Sequence, residues 1–332
     1  MLTLHTRGHP APDKKLEPRV VHMSGDAADV DDHIVWVDLL NPTRDEELKL
    51  EDKLGVLLPT REDMAEIETS SRLYMEEGAA FMTALISFFG GQQRLQAGPI
   101  TFVLVKGRLI TIRYIEPASF SIFTDHIEKQ PQQCVCGATT FLNLLDVLID
   151  RTADLIEKTE TGIDGLSKSI FRRKRETKLE DALIQIGDYQ NDVSRIRDSL
   201  VSLARLVAFA KGLDTETVGL KGEGLAEYRE RLITMGQDVA SLSDHASYIT
   251  GNMSFLLDAA LGLISVEQNN VMKLISVVSV IFLPLTLIAS VYGMNFVDMP
   301  FLHDADAFYW TCVLMIAIAI GLIVWLKSRR WI

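Results

Sequence analysis

A chain of 332 residues has room for a core-forming domain and something more, and its formal net charge of −12 argues against nucleic acid as a partner, because phosphate binding needs clustered Lys and Arg. A mean hydropathy of +0.15 is high for a water-soluble protein with 23% charged residues, and the apolar excess is concentrated in the last sixty residues. The three cysteines, Cys134, Cys136 and Cys312, make no disulfide framework, and Cys134-Val-Cys136 lacks the gap and the second pair of a zinc site, so reduced thiols are expected.

Residues 1–33 are polar, with Pro10, Pro12 and Pro18 and an acidic run over 29–32, and read as a weakly ordered N-terminal arm that starts with at most a short strand. No apolar run of a secretory signal opens the chain, which places its bulk in the cytoplasm. The β-branched and aromatic stretch 34–39 predicts a strand. Thr43 and Glu46 have capping-box spacing ahead of a helix that Gly55 ends, and Thr60 and Asp63 repeat that spacing ahead of a short helix reaching about Glu68. Strands follow at 72–75, 80–89, 100–105 and 109–114, with Gly90-Gly91 as a turn and Lys106-Gly107-Arg108 as a hairpin loop. A helix starts near Pro117 and Ser119 and stops at Gln130-Pro131. Residues 34–135 thus form a small cytoplasmic α/β domain with no phosphate loop and no nucleophile–base arrangement, which speaks against an enzyme.

From Thr140 strong helix formers dominate, and no proline occurs between Pro131 and Pro284. Apolar residues recur in steps of three, four or seven on both sides of the charged stretch 171–177, the pattern of an antiparallel helical hairpin over 140–224 including its Gly-rich linker. The basic run 172–175 sits at the tip, where it reads as a solvated turn or an anion-attracting patch. A third helix begins near Leu225 and meets no strong breaker before Pro284, so a stalk over 225–293 runs into a first span at 274–293; at 1.5 Å per residue such a rod is about 100 Å long. Gly236, Gly251 and Gly262 weaken a helix and suit close approach of neighbours.

The span 274–293 is free of charge and long enough to cross hydrocarbon. Ser276, Ser279, Thr286 and Ser290 fall on one heptad stripe with Met272, Leu283 and Gly293. Either these hydroxyls bond back to carbonyls one turn earlier, or they line a wet axis shared by packed helices. The loop 294–307 contains Asp298, His303, Asp304 and Asp306 but no Lys or Arg. A second span, 308–326, has Trp310 and Trp325 near its ends and is followed by the basic tail 327–332, so both termini are expected in the cytoplasm. Ala317 and Gly321 have the small-xxx-small spacing that suits packing on the first span. Two spans cannot enclose an aqueous path, so transport requires an oligomer.

Tyr292-Gly293-Met294-Asn295-Phe296, at the outer end of the first of two C-terminal spans, resembles the YGMNF signature of the CorA family of divalent-cation channels, and the layout of the whole chain is similar to that family. The resemblance implies a cytoplasmic α+β domain, long helices and two transmembrane helices assembled as a funnel-shaped homopentamer in the inner membrane. It implies that Gly293, Met294 and Asn295 form the outer selectivity ring, that Asn269, Thr286 and Ser290 form further polar rings, and that Met272, Ile275 and Leu283 form an apolar constriction. Mg2+ is then the substrate, with Co2+ and Ni2+ as minor ones, and no cofactor is needed. The amide of Asn295 suits an ion that keeps its water shell. In the absence of a visible ATP site the membrane potential drives entry, worth about 4.6 kcal/mol per 100 mV for a divalent ion.

The family also senses cytosolic Mg2+ through acids between neighbouring N-terminal domains. Glu62 and Asp63 match the first such position, with a plain cap as the alternative for Asp63; at the second position this chain has Thr234, with Glu230 and Asp238 nearby. Two other readings stand beside Mg2+ influx: the family's zinc-transporting branch, which typically departs from Gly-Met-Asn, and a membrane-anchored metal sensor or scaffold that does not conduct.

Overall fold

The computed structural model describes residues 2–6, 20–23, 34–66, 68–91, 94–171, 179–294, 306–329 and 331. They fall into two compact units, Met1–Leu256 and Leu257–Ile332.

The first unit opens with strands β1 (Leu2–Thr6), β2 (Val20–Met23) and β3 (Ile34–Leu40). Helices α1 (Arg44–Leu54), α2 (Arg61–Ala65) and α3 (Thr69–Arg72) follow, then strands β4 (Leu73–Glu76), β5 (Ala79–Phe89), β6 (Leu95–Val105) and β7 (Arg108–Arg113). The seven strands make one mixed sheet in the order β2-β1-β3-β7-β6-β5-β4, with β3 and β7 parallel and every other pair antiparallel.

Two differences from the sequence reading have clear causes. The stretch expected to be a weakly ordered arm supplies β1 and β2, because Leu2 and Leu4 are buried in the core and His5 stacks on Trp36 at 4.1 Å. Strand β6 begins at Leu95 rather than at Ile100, although Gly98 and Pro99 argue against a strand. Only 100–105 pair with β7, so 95–99 have one open side where a missing amide proton is harmless. At Gly98 an added Cβ would come within 2.6 Å of Ile115.

Both capping boxes form as the spacing predicts. Thr43 accepts from Glu46 N while the Glu46 carboxylate accepts from Thr43 N, and Thr60 and Asp63 do the same for α2. Helix α2 stops at Ala65, short of the expected Glu68. The β6–β7 loop is a two-residue turn with positive φ at Lys106 and Gly107, and Glu77-Gly78 joins β4 to β5 in the same way.

One face of the sheet packs against α1 and α2 through Val37, Leu39, Leu50, Leu54, Met64 and Phe81. The other packs against α4 (Ala118–Lys129) and the start of α5 (Gly137–Phe171), with Trp36 5.4 Å from Phe123 and Phe102 edge-on to Phe141. A buried ion pair sits in this layer: Arg113 donates to both oxygens of Asp38, which also accepts from Thr111, and Trp36 Nε1 donates to Thr111 Oγ1.

Helix α5 pairs with α6 (Leu179–Lys211) as the predicted hairpin; the tip 172–178 lies outside the described residues. The linker holds one turn, α7 (Thr215–Val218), capped by Asp214 and ended by Gly219. Helix α8 runs from Glu223 to Tyr292 with Pro284 inside it. In the first unit it buries Tyr228, Leu232, Met235, Val239, Ala246, Ile249 and Met253, a heptad seam. Tyr228 donates to the Ala210 carbonyl on α6, and Arg231 bonds Asn143 and Asp146 on α5. Of the glycines noted in the stalk, Gly236 would place a Cβ 3.6 Å from Val207, whereas Gly251 and Gly262 face open space.

The second unit is the remainder of α8 with α9 (Ala307–Ser328).

Candidate functional site

The second unit exposes apolar side chains on a scale that water does not tolerate. Leu274, Phe282, Leu283 and Leu287 on α8 and Phe308, Trp310 and Val324 on α9 are each at least 60% exposed. Both helices are long and apolar enough to cross a membrane.

The coverage left by the chain itself assigns faces to these helices. Within residues 274–293 of α8 the half-buried or buried positions are Ser276, Val277, Ile281, Pro284, Leu285 and Ile288. Ser276 aside, they cluster on one side of the helix at 100° per residue. Asn269, Met272, Ile275, Ser276, Ser279, Leu283, Thr286, Ser290 and Gly293 span an arc of about 120° whose centre lies about half a turn away. All but Ser276 are exposed, so the fold of one chain leaves the polar stripe open. On α9 the covered positions are Ala307, Thr311, Cys312, Met315, Ile318, Ala319, Leu322 and Leu326. Ala317 and Gly321 are exposed, and a Cβ at Gly321 would meet nothing within 4 Å, so the small-xxx-small pair lies off the covered face.

Two of the four hydroxyls bond back along the helix. Ser279 Oγ donates to the Ile275 carbonyl at 2.9 Å, and Thr286 Oγ1 donates to Phe282 and Leu283 at 2.8 and 3.0 Å. This does not remove them from a pore. A hydroxyl that spends its proton on its own helix keeps its lone pairs outward, as acceptors for the protons of metal-bound water.

Gly293 and Met294 follow the end of α8: Gly293 N donates to the Ala289 carbonyl at 2.9 Å and Met294 N to Val291 at 3.3 Å. A Cβ at Gly293 would approach the Ala289 oxygen to 3.1 Å, so glycine lets the helix end tightly here. Asn295, named as part of the filter, lies outside the described residues, as do Asp298, His303 and Asp304.

Glu62 and Asp63 are both exposed on α2. Asp63 Oδ2 accepts from Thr60 Oγ1 at 2.7 Å and from Thr60 N at 2.8 Å, and these bonds hold its carboxyl below the ordinary aspartate range. At the second acidic position the Thr234 hydroxyl turns back to the Glu230 carbonyl. Asp146 on α5 lies within electrostatic reach of Asp150 and Asp238; burial first, and then those two charges, push its carboxyl up against the opposing pull of the Arg231 guanidinium. Among the described residues no group of three or more His, Cys, Asp or Glu side chains is placed to hold a metal ion. A regulatory site confined to one chain is therefore not visible in these residues.

Comparison with known proteins places these features in a family. The family described as "CorA-like Mg2+ transporter protein" matches residues 31–329. The magnesium transport protein CorA of Haemophilus influenzae (strain ATCC 51907) is 30% identical over 316 residues, covering 95% of this chain and 98% of its own length. That of Escherichia coli (strain K12) is 29% identical over 298 residues, covering 90% and 92%. In fold, the complete CorA magnesium transporter of Methanocaldococcus jannaschii superposes with a TM-score of 0.79 at 17% identity, covering 100% of this chain and 99% of that one. The full-length CmaX protein superposes at 0.61 and 15% identity, covering 100% and 97%. With nearly its whole length matched in sequence and in fold, the chain belongs to the CorA-like Mg2+ transporter family.

Proposed function

We propose that this chain transports Mg2+ into the cell as a homopentameric channel, with α8 of each subunit lining the axis and α9 facing lipid. The observation that carries the reading is the open stripe on α8. Asn269, Ser279, Thr286 and Ser290 occupy the face that the chain does not cover itself, a face that gains from water only when several copies surround an axis. The relatives at about 30% identity are named as magnesium transport proteins, which supports Mg2+ as the substrate.

The chemistry fits a hydrated ion. Mg2+ sheds its octahedral water shell reluctantly, and the stripe offers neutral oxygen acceptors with no carboxylate. Rings of Ser279, Thr286 and Ser290 accept from the waters while Met272, Ile275 and Leu283 narrow the path and close it by dewetting. Gly293, Met294 and Asn295 form the outer entrance, where the Asn295 amide oxygen receives the water shell. Entry needs no pump: about 4.6 kcal/mol per 100 mV sustains roughly a thousandfold accumulation. Co2+ and Ni2+ hold comparable shells and pass as minor substrates. Cytosolic Mg2+ binding at Glu62 and Asp63 between subunits closes the channel.

Mg2+ uptake into liposomes containing the purified protein tests this. Wild type should pass Mg2+ under an interior-negative potential, and Asn295→Ala should abolish flux while the assembly stays intact. Wild-type flux in a correctly assembled mutant would sink the filter assignment; no Mg2+ flux in wild type would leave a scaffold, and flux of Zn2+ alone would move the chain to the zinc branch.

A further inference from the structure

We infer that His245 and Glu160 form a proton-operated clasp that ties the stalk helix α8 to α5 and tightens as the surrounding solution turns acid. Two polar ties join these helices in one register. Arg231 on α8 meets Asp146 on α5 and His245 meets Glu160, each pair 85 positions apart, so the ties stand two heptads from each other on helices that run the same way. Phe255 beside Phe171, with ring centroids 6.4 Å apart, keeps that register to within one residue. Among the described residues no hydrogen bond or ion pair joins α8 to another element between His245 and the first span. The clasp is thus the last polar tie before 274–293.

The two ties differ in what a proton does to them. The Arg231 guanidinium is charged at every physiological pH and also bonds Asn143. His245 is the one histidine in the sequence of α5, α6 and α8, and its Nε2 lies 3.1 Å from Glu160 Oε2. A neutral imidazole gives that carboxylate an ordinary hydrogen bond, and an imidazolium gives it a charged one, roughly twice as strong. Histidine is the side chain that ordinarily makes this change between about pH 5 and 8. The two side chains are 42% and 39% exposed, so they exchange protons with solvent, and the imidazole lies along the Tyr248 ring with centroids 6.1 Å apart. Acids stand around the pair: Glu157 and Asp164 one turn to either side of Glu160, and Asp244 next to His245. Lys158 is turned onto the Phe89 ring at 3.9 Å, and among the described residues no charged group of α6 pairs with either partner. An exposed pair of this kind shifts an equilibrium by about two- to fivefold. Its regulatory part rests on the channel reading above: if closure by internal Mg2+ holds the stalk to the first unit, acid lowers flux.

The test is amide hydrogen exchange of the full-length protein in detergent at pH 6 and pH 8, corrected for the intrinsic pH dependence of exchange. In wild type, α8 around His245 should open about two- to fivefold less often at pH 6 than at pH 8. His245→Gln and Glu160→Gln should each remove that difference. His245→Lys is charged at both pH values and should protect the segment at pH 8 as well as wild type is protected at pH 6. That is a gain a misfolded variant cannot produce. Wild-type protection that ignores pH, a difference that persists in His245→Gln, or His245→Lys opening at pH 8 as often as wild type would each overturn the clasp. Mg2+ flux into liposomes, measured at internal pH 6 and 8, separates this inference from the reading it rests on. No flux in wild type at either pH fails the channel and leaves exchange to decide the clasp, whereas flux with the same pH dependence in wild type and His245→Gln overturns the clasp as a regulator.

Discussion

At the residue scale, Asp63 has a capping role that the structure shows and a regulatory role that is proposed, and one substitution separates them. Its carboxylate completes the α2 capping box, and the Thr60 bonds that hold its pKa below the ordinary value near 3.8 stabilise the folded state. A lowered folded pKa gives a contribution that is complete above the unfolded value and lost as pH falls through the folded one. Asp63→Asn keeps an oxygen that can accept from Thr60, so the helix should survive with little loss of stability and without that acid-side dependence. If Asp63 also faces a neighbouring subunit, the same variant should weaken inhibition of flux by internal Mg2+ and reduce protection from protease at high Mg2+. An inhibition curve that overlays wild type would leave Asp63 as a cap alone. Both caps were legible in the sequence because a capping box is a strictly local device: Thr43 with Glu46, and Thr60 with Asp63, need only three residues and a helix. The Asp38–Arg113 pair was not, because its partners are 75 positions apart and meet only once β3 lies parallel to β7.

At the element scale, three glycines fix where the β6–β7 hairpin meets the helices. Gly107, at φ +74°, turns the hairpin; its carbonyl accepts from Gly137 N at 2.8 Å, and its Cα lies 2.9 Å from where a Cβ on Gly219 would stand. At Gly137 an added Cβ would come within 2.4–2.6 Å of Arg108 and Gly107 backbone, where no side chain can swing aside. Gly137→Ala should therefore destabilise the first unit by about 1–3 kcal/mol, read as a lowered denaturation midpoint, although alanine is the better helix former. Gly165→Ala, on the same helix with open space around it, is the matched control and should be neutral or stabilising. A Gly137→Ala protein as stable as wild type would show that the hairpin can retreat. The helices α5 and α6 were readable from apolar residues recurring in steps of three, four or seven, and α8 from the lack of a strong breaker before Pro284. Strand β1 was only half readable: Leu2-Thr3-Leu4 alternates, but what makes it a strand is the slot between β2 and β3. The small-xxx-small pair on α9 misled for a related reason, because spacing identifies a face without saying which neighbour it meets.

At the scale of the whole molecule, charge and length together decide which side of the membrane each end occupies. Helices α8 and α9 are each long and apolar enough to cross once, and if both do, whatever precedes α8 and follows α9 shares a side. The tail contributes Lys327, Arg329 and Arg330, while 294–307 contains acids and no Lys or Arg. Basic flanks favour the cytoplasmic side, so the proposed topology puts the acidic sequence 294–307 outside, where its charge would raise the local concentration of a divalent cation. That topology would serve the proposed flux, with the acidic loop sequence on the side of entry, the uncharged hydroxyl stripe of α8 along the path and the first unit on the side where internal Mg2+ could report back. In a background with Cys134, Cys136 and Cys312 replaced, a cysteine at Phe301 should react with a membrane-impermeant thiol reagent added to intact cells. A cysteine at Ser328, exposed at the end of α9, should react only after the membrane is opened. The opposite labelling would invert the direction of entry, because the interior-negative potential would then draw the ion through the tail side of the spans first.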